Sequence, residues 1–529
     1  MAYLSEKFFV RIVALTIVIG LLYRLFPIVT GQPNLSQFFV TEDGYLMLTV
    51  ARNMAIGLGM SVSEGTIATN GVQPLATYLF SVPYLITGGD KVSSLIGILA
   101  ISAALSLGGV FAIRALARAA LEPQDDNPVW PWMIAALWFV SPLLLLHTMN
   151  ALETGLYTLS LVVTLLQFHK VLSRGAEATP MDRFALGALC GIAFLSRNDA
   201  ALLAIILFVV WGLHSMIVQR RGFMRALVDT VPPGILCLLI AAPWLISNKI
   251  NFGSIVPISG SSQSLGISIG QNASLVPAKL MEYMFPMLPI PDGMEETTPV
   301  IALGTVLLVL IVGTFLIQTW RRGGAMRYVM VTYALHGLVL VMYYGLFFGA
   351  PHFMSRYMAP LAPFLIIATT SVLIGLLRGV TPGAATGLLK AVGLIGIVIS
   401  LGLLGRLLIP GVKSQGHFQV VDWVHKNVPQ DVWVGAVQTG TLGYWNDRTI
   451  NLDGKVNPDA LAVLQEHGNV LDYVIDSKIQ YLADWHGIAK WTTTGNWGNT
   501  RFTETFEVLV DDEDLNLGGL KRRSPDVTN

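Results

Sequence analysis

The chain has 529 residues, 53% of them hydrophobic and only 12% charged, against roughly 25% charged in an ordinary soluble protein. Lys plus Arg and Asp plus Glu stand at 33 each, so there is no basic excess of the kind a nucleic-acid binder carries. The two cysteines, Cys190 and Cys237, sit in apolar stretches and offer neither a disulfide framework nor a cysteine-based metal site.

In chain order, eleven apolar stretches near 20 residues recur with charges pushed to their edges, each about long enough to cross a hydrocarbon core of roughly 30 Å. They cover residues 8–29, 92–113, 129–147, 152–169, 184–196, 200–218, 227–247, 299–319, 328–349, 358–377 and 388–409. No small-residue cleavage site follows the first, which reads as an uncleaved anchor. With the N-terminus cytoplasmic, the inner connecting segments hold fifteen Lys and Arg and the outer ones, up to residue 409, hold six. That asymmetry sets the expected orientation, in the plasma membrane of the cell, with outer loops at 30–91 and 247–299. Two stretches of the first outer loop, 43–57 and 73–87, are expected to lie in the interface, because a crossing there would turn the basic loops outward.

Residues 1–409 are thus expected to form a transmembrane domain. From residue 410 the composition changes: sixteen acidic and ten basic residues occur, with an alternating run at 432–437 and helical patterns at 417–427 and 458–465. The expectation is a small extracytoplasmic α/β domain over 410–529, frayed after Asp511. The predicted fold class is an α-helical polytopic membrane protein carrying that domain.

Candidate chemistry concentrates on the outer side. Glu42 and Asp43 open a helical pattern directly after the first span, where paired carboxylates can abstract a proton or hold a cation; the ordinary alternative is that they complement a helix dipole. Glu153 stands within one turn of an apolar helix, with the same two readings. Arg197 and Asp199 break two apolar stretches that would otherwise merge, and pair with one another or face a polar cavity. Arg356, in the turn before the tenth stretch, can grip a phosphate through two parallel hydrogen bonds or snorkel to ordinary lipid; its neighbour His352 reads as a packed residue.

Taken in order, "TEDGYLMLTVARNMAIGLG" (41–59), "TNGVQPL" (69–75), "NALETGLY" (150–157), "FLSRNDA" (194–200), "NKINFGSIVP" (248–257), "SRYMAPLAP" (355–363) and "TGTLGYWNDRTINLDGKVN" (439–457) resemble the integral-membrane GT-C glycosyltransferases, which use polyprenyl-phosphate-linked sugars. Within that superfamily the chain is most similar to bacterial members with a C-terminal extracytoplasmic domain, including mycobacterial-type arabinofuranosyl- and mannosyltransferases. The resemblance implies Asp43 as the general base on the acceptor hydroxyl, with Glu42 and Glu153 as further acids. Arg356 and Arg197 fall near the donor phosphate, supported by Asp199, Asn70 and Tyr357. It implies a polyprenyl-phosphate-sugar donor and a glycan, lipid or protein acceptor among membrane lipids; no cofactor is specified, and a divalent cation is used by some members. Where relatives carry a basic residue after the "FGSIVP"-type stretch, this chain has Ser259, Gly260, Ser261 and Ser262, which leaves donor contacts from that loop in question. A polytopic transporter or lipid flippase, and a glycan-binding scaffold, are the competing classes.

Overall fold

The computed structural model describes residues 6–122, 124, 127–291, 293–380, 382–409, 412, 416–493 and 499–523; the expected domain boundary at 410 and the outer acid Asp292 lie outside them. All eleven apolar stretches coincide with helices. Among the described residues, nine helices are long and apolar enough to cross a membrane, from Glu6–Thr30 to Thr386–Leu408. The pair Val129–Val140 and Pro142–Met149, bent by 65°, makes a tenth if the two pieces form one span. Its break has a local cause: Ser141 leaves helical geometry and its hydroxyl caps the second piece, while Pro142 has no N–H to continue the first. The stretch expected at 184–196 becomes the Pro180–Ser196 helix, whose 17 residues lie at the short end of the spanning range, so among the described residues nine helices, or ten with the bent pair, have the length and apolarity of a full span against the eleven expected.

Several helix ends are tied by ion pairs. Asp182, in a capping box with Thr179, takes Lys170 at 2.8 Å and Arg174 at 2.7 Å, and Asp229 binds Arg183 and Arg221. The 30–91 segment contains two 14-residue helices, Glu42–Ala55 and Pro74–Thr87, too short to cross. A two-stranded antiparallel ribbon, Ser61–Val62 with Ile67–Ala68, joins them, fastened to the first helix where Asn53 donates to the Ser61 carbonyl at 2.9 Å.

The soluble domain is a five-stranded mixed sheet in the order Thr449–Asn451, Trp433–Ala436, Ile479–Asp484, Leu517–Arg522, Phe506–Asp512. The first three strands run parallel, and Leu517–Arg522 is antiparallel to both its neighbours. Helices Phe418–Asn427 and Pro458–His467 occupy the places where helical patterns occur in the sequence. Over the described residues up to 523 the expected fraying after Asp511 is overturned, while 524–529 lie outside them: residues 517–522 lie inside the sheet, with Leu517 and Leu520 buried and Gly518 and Gly519 closely covered by Trp485, Ile488 and Trp423. The acidic run Asp511–Asp514 ends one strand and enters the turn at 513–516, and its polarity hides the apolar strand that follows.

Candidate functional site

Thr41 caps the Glu42–Ala55 helix, its extended backbone and side-chain oxygen receiving the Gly44 N–H at 3.3 Å. Glu42 and Asp43 therefore occupy the first turn, where the helix dipole favours carboxylates. The two acids then diverge. Glu42 reaches the soluble domain: it accepts the Gly440 N–H, the Thr441 N–H at 2.9 Å and the Thr441 hydroxyl at 2.5 Å. Burial raises the Glu42 carboxyl above its ordinary value, with the Thr441 and Gly440 hydrogen bonds working against that rise. With both oxygens engaged, Glu42 acts as a tether between the 30–91 segment and the C-terminal sheet domain.

Asp43 faces a cluster of cations. Arg356 Nη1 lies 3.0 Å from Asp43 Oδ2, and Lys455 Nζ lies 3.7 Å from Oδ1 and 3.4 Å from Asp453 Oδ2. Burial alone would raise the Asp43 carboxyl, but the charges of Lys455 and Arg356 outweigh it and hold the group below its ordinary value. Burial likewise opposes the charge on Lys455, and Asp43 and Asp453 keep its ammonium above its ordinary value. An ion pair drawn partly out of water recovers little net stability after desolvation, so three half-buried charged groups gathered at one spot point to chemistry more than to folding.

Arg356 is held by its surroundings. His147 Nε2 and Tyr283 fix the neighbouring Ser355, the latter donating to the Ser355 carbonyl at 2.5 Å, and Arg356 Nη2 donates to the Tyr357 hydroxyl at 3.3 Å. Its guanidinium lies 4.5 Å from the Phe353 ring centroid, and its Nε is sealed from solvent with no partner. His352 is exposed and packs on Phe353.

The Tyr357 ring separates Arg356 from Arg197, whose guanidinium lies 4.8 Å from that ring and 5.1 Å from the Tyr157 ring. Arg197 is bound to Asp199 at 2.6 Å and donates to the Tyr344 hydroxyl at 3.1 Å, which itself donates to Asp199 at 2.8 Å. Arg197 and Asp199 thus form a neutralised, buried pair beneath the site. Glu153 is buried too, its charge acts on both Arg197 and Arg356, and its carboxylate has no hydrogen-bond partner among the described residues. Its turn abuts the Asp43 helix through a close backbone approach: a Cβ on Gly44 would lie 2.2 Å from the Asn150 carbonyl oxygen.

Asn70 organises rather than reacts. Its Oδ1 accepts the Ile258 N–H at 3.1 Å, anchoring the Ile258–Gln263 helix of the second outer loop. That helix carries the serines noted in the sequence; Ser262 donates to the Asp453 carbonyl at 2.6 Å, and Gln263 accepts from Tyr357 at 3.2 Å. The structure therefore brings Asp43, Arg356, Tyr357, Glu153 and Asn70 into one region and sets Arg197 and Asp199 below it, while Glu42 is turned to docking. Lys455 is the residue sequence reasoning missed. Its signal is a lone cation inside "NLDGKVN", next to Gly454 at a φ of 76°.

These donors suit a divalent cation poorly. Both Asp43 oxygens face cationic side chains, both Glu42 oxygens face N–H and O–H donors, and among the described residues no group of three or more His, Cys, Asp or Glu could hold a metal ion.

A family model described as a domain of unknown function (DUF8728) matches residues 410–511. The search of curated proteins returned no match. Among solved structures, the chain is similar to the oligosaccharyltransferase AglB of Archaeoglobus fulgidus, in complex with an inhibitory peptide and a dolichol-phosphate, with a TM-score of 0.60 and 11% identity over 96% of this chain and 73% of that one. It is also similar to ArnT of Cupriavidus metallidurans bound to undecaprenyl phosphate, with a TM-score of 0.57 and 12% identity over 98% of both chains. The arabinofuranosyltransferase AftD from mycobacteria aligns at a TM-score of 0.48 and 14% identity over 90% of this chain and 36% of that one.

Proposed function

We propose that this chain, a multi-pass membrane protein with the fold of the GT-C glycosyltransferases, is an inverting glycosyltransferase. It moves a sugar from a polyprenyl-phosphate donor to a cell-envelope glycan, lipid or protein on the extracytoplasmic side of the plasma membrane. The observation that carries this reading is the contact between Asp43 and Arg356, a base beside an arginine whose Nε is buried and unpartnered. A carboxylate removes the acceptor proton, and an arginine stabilises the charge that develops on the departing phosphate. The phosphodiester leaves as a weak base, so charge stabilisation suffices and no proton donor is required for it. Glu153 is the second acid, its charge favourable to both arginines, and Arg197, paired with Asp199, lies against the Tyr357 ring. No step is routed through a divalent ion.

The two lipid-phosphate complexes among the similar structures support the donor class, since each of those proteins binds a polyprenyl phosphate in the same overall fold. The test is transfer by the purified protein, without a membrane gradient, from a panel of labelled polyprenyl-phosphate sugars. At least one donor is expected to be consumed, and Asp43→Asn is expected to lower that rate by roughly 10² to 10⁴ while leaving the protein folded. Gradient-dependent movement of lipid with no transfer would favour a flippase and defeat the proposal.

A further inference from the structure

The geometry around Asp43 is at odds with a free general base: both of its oxygens face cations, Arg356 at 3.0 Å and Lys455 at 3.7 Å. A carboxylate so held is a poor proton acceptor. The second cation comes from the soluble domain, and its position is dictated by backbone packing. Gly71 of the first outer loop lies so close that a Cβ there would stand 1.9 Å from the Lys455 carbonyl oxygen, and Ser262 of the second outer loop holds the Asp453 carbonyl. Lys455 and Arg356 both approach the Phe353 ring, at 5.5 Å and 4.5 Å from its centroid, so the two cations converge on one place from two parts of the chain.

We propose that Lys455 is a second phosphate-binding cation supplied by the soluble domain, and that the anionic head group of the lipid donor competes with Asp43 for Lys455 and Arg356, so that donor arrival frees the Asp43 carboxylate. This rests on the glycosyl-transfer reading and deepens it. Without a bound phosphate, Asp43 serves as the counter-ion that keeps two half-buried cations tolerable. When the phosphate takes over that role, the carboxylate loses its partners while remaining in a site of low polarity, and its basicity rises. Transfer then balances: the acceptor oxygen bonds to the anomeric carbon, the carbon–oxygen bond to phosphate breaks with its electron pair left on the phosphate, and the acceptor proton passes to Asp43. The base is thereby active only when a donor is present, and the soluble domain is a working part of the site.

The probe is undecaprenyl phosphate, titrated into the purified full-length protein in detergent, with thermal unfolding as a check that each variant is folded. Competition predicts opposite signs at the two partners. Lys455→Met weakens binding about tenfold or more, Lys455→Arg stays within about threefold of the parent, and Asp43→Asn tightens binding by about tenfold, because one charge-assisted contact is lost in the first case and released to the phosphate in the last. An Asp43–Lys455 pair with only a structural role gives no gain on removal of the carboxylate. Unchanged affinity in Lys455→Met, or equal or weaker binding in Asp43→Asn, overturns the inference while leaving the glycosyl-transfer reading in place. Failure of the parent protein to bind undecaprenyl phosphate removes both.

Discussion

Replacing Gly71 with Ala changes no charge and touches no reacting group, yet it should impair the site through backbone packing alone. The added Cβ would meet the Lys455 carbonyl oxygen at 1.9 Å and its carbonyl carbon at 3.0 Å, where real contacts of this kind are essentially never under 3.0 Å. Neither backbone is free to swing aside. On one side Gly71 N–H donates to Thr69 at 3.1 Å and Asn70 holds Ile258; on the other, the Asp453 carbonyl is held by Ser262 at 2.6 Å. The chains must part by roughly 1 Å, a misplacement that costs on the order of 10² in rate when it reaches the reacting geometry. Lengthening the Lys455–Asp43 contact by that amount removes about 1 kcal/mol of Coulomb attraction at an effective dielectric of about 20, or about fivefold, as a lower bound. The assay is transfer of labelled sugar by purified protein, with Gly487→Ala in the soluble domain as control, since no atom lies within 4 Å of its Cβ. Gly71→Ala is expected to fall between roughly fivefold and 10²-fold below the parent while its soluble domain still unfolds cooperatively. Turnover equal to that of the control would refute the idea that this approach positions Lys455.

Glu42→Ala removes the acceptor for two backbone N–H groups and a hydroxyl, and should loosen docking of the soluble domain by about 2 to 3 kcal/mol, read as faster protease release of that domain; release at the parent rate would deny Glu42 its tethering role. Lys455→Met should move the acid limb of the pH profile for kcat/KM upward: Lys455 is the larger of the two charges holding Asp43 below its ordinary value, so without it the carboxylate protonates, and activity fails, at a higher pH as pH falls. An unmoved acid limb would mean that Asp43 is not the titrating base. Single cysteines at Ser173 and Gln465, both exposed, should differ toward an impermeant thiol reagent on intact cells, with Gln465→Cys labelled and Ser173→Cys protected; the reverse pattern would invert the proposed orientation.

The membrane helices were legible in the sequence because each is a local property. A run of apolar residues long enough to bury its own backbone hydrogen bonds declares itself without reference to any other part of the chain. The bent pair at Ser141–Pro142 and the 17-residue Pro180–Ser196 helix show the limit of that signal, since hydropathy measures apolar length and says little about breaks or ends. Asp43 and Arg356 were legible as candidates for the same reason that they are costly: a charge beside an apolar span needs a cause.

Tertiary structure alone decided which partner each charge found. Glu42 and Asp43 are adjacent, yet successive residues on a helix point in different directions, and one meets the Gly440–Trp445 helix while the other meets Arg356 and Lys455. Arg197 was as strong a phosphate candidate as Arg356 by residue type, and only packing shows that Asp199 and the tyrosines enclose it. The strand at 517–522 escaped notice because two glycines and a flanking acidic run dilute its apolar signal, whereas its burial comes from the neighbours that cover it. Lys455 is the clearest case. Its chemistry depends on Asp43, Gly71 and Phe353, which lie far from it in the chain, and a charge pairing made across that separation leaves no local pattern in the residues beside it.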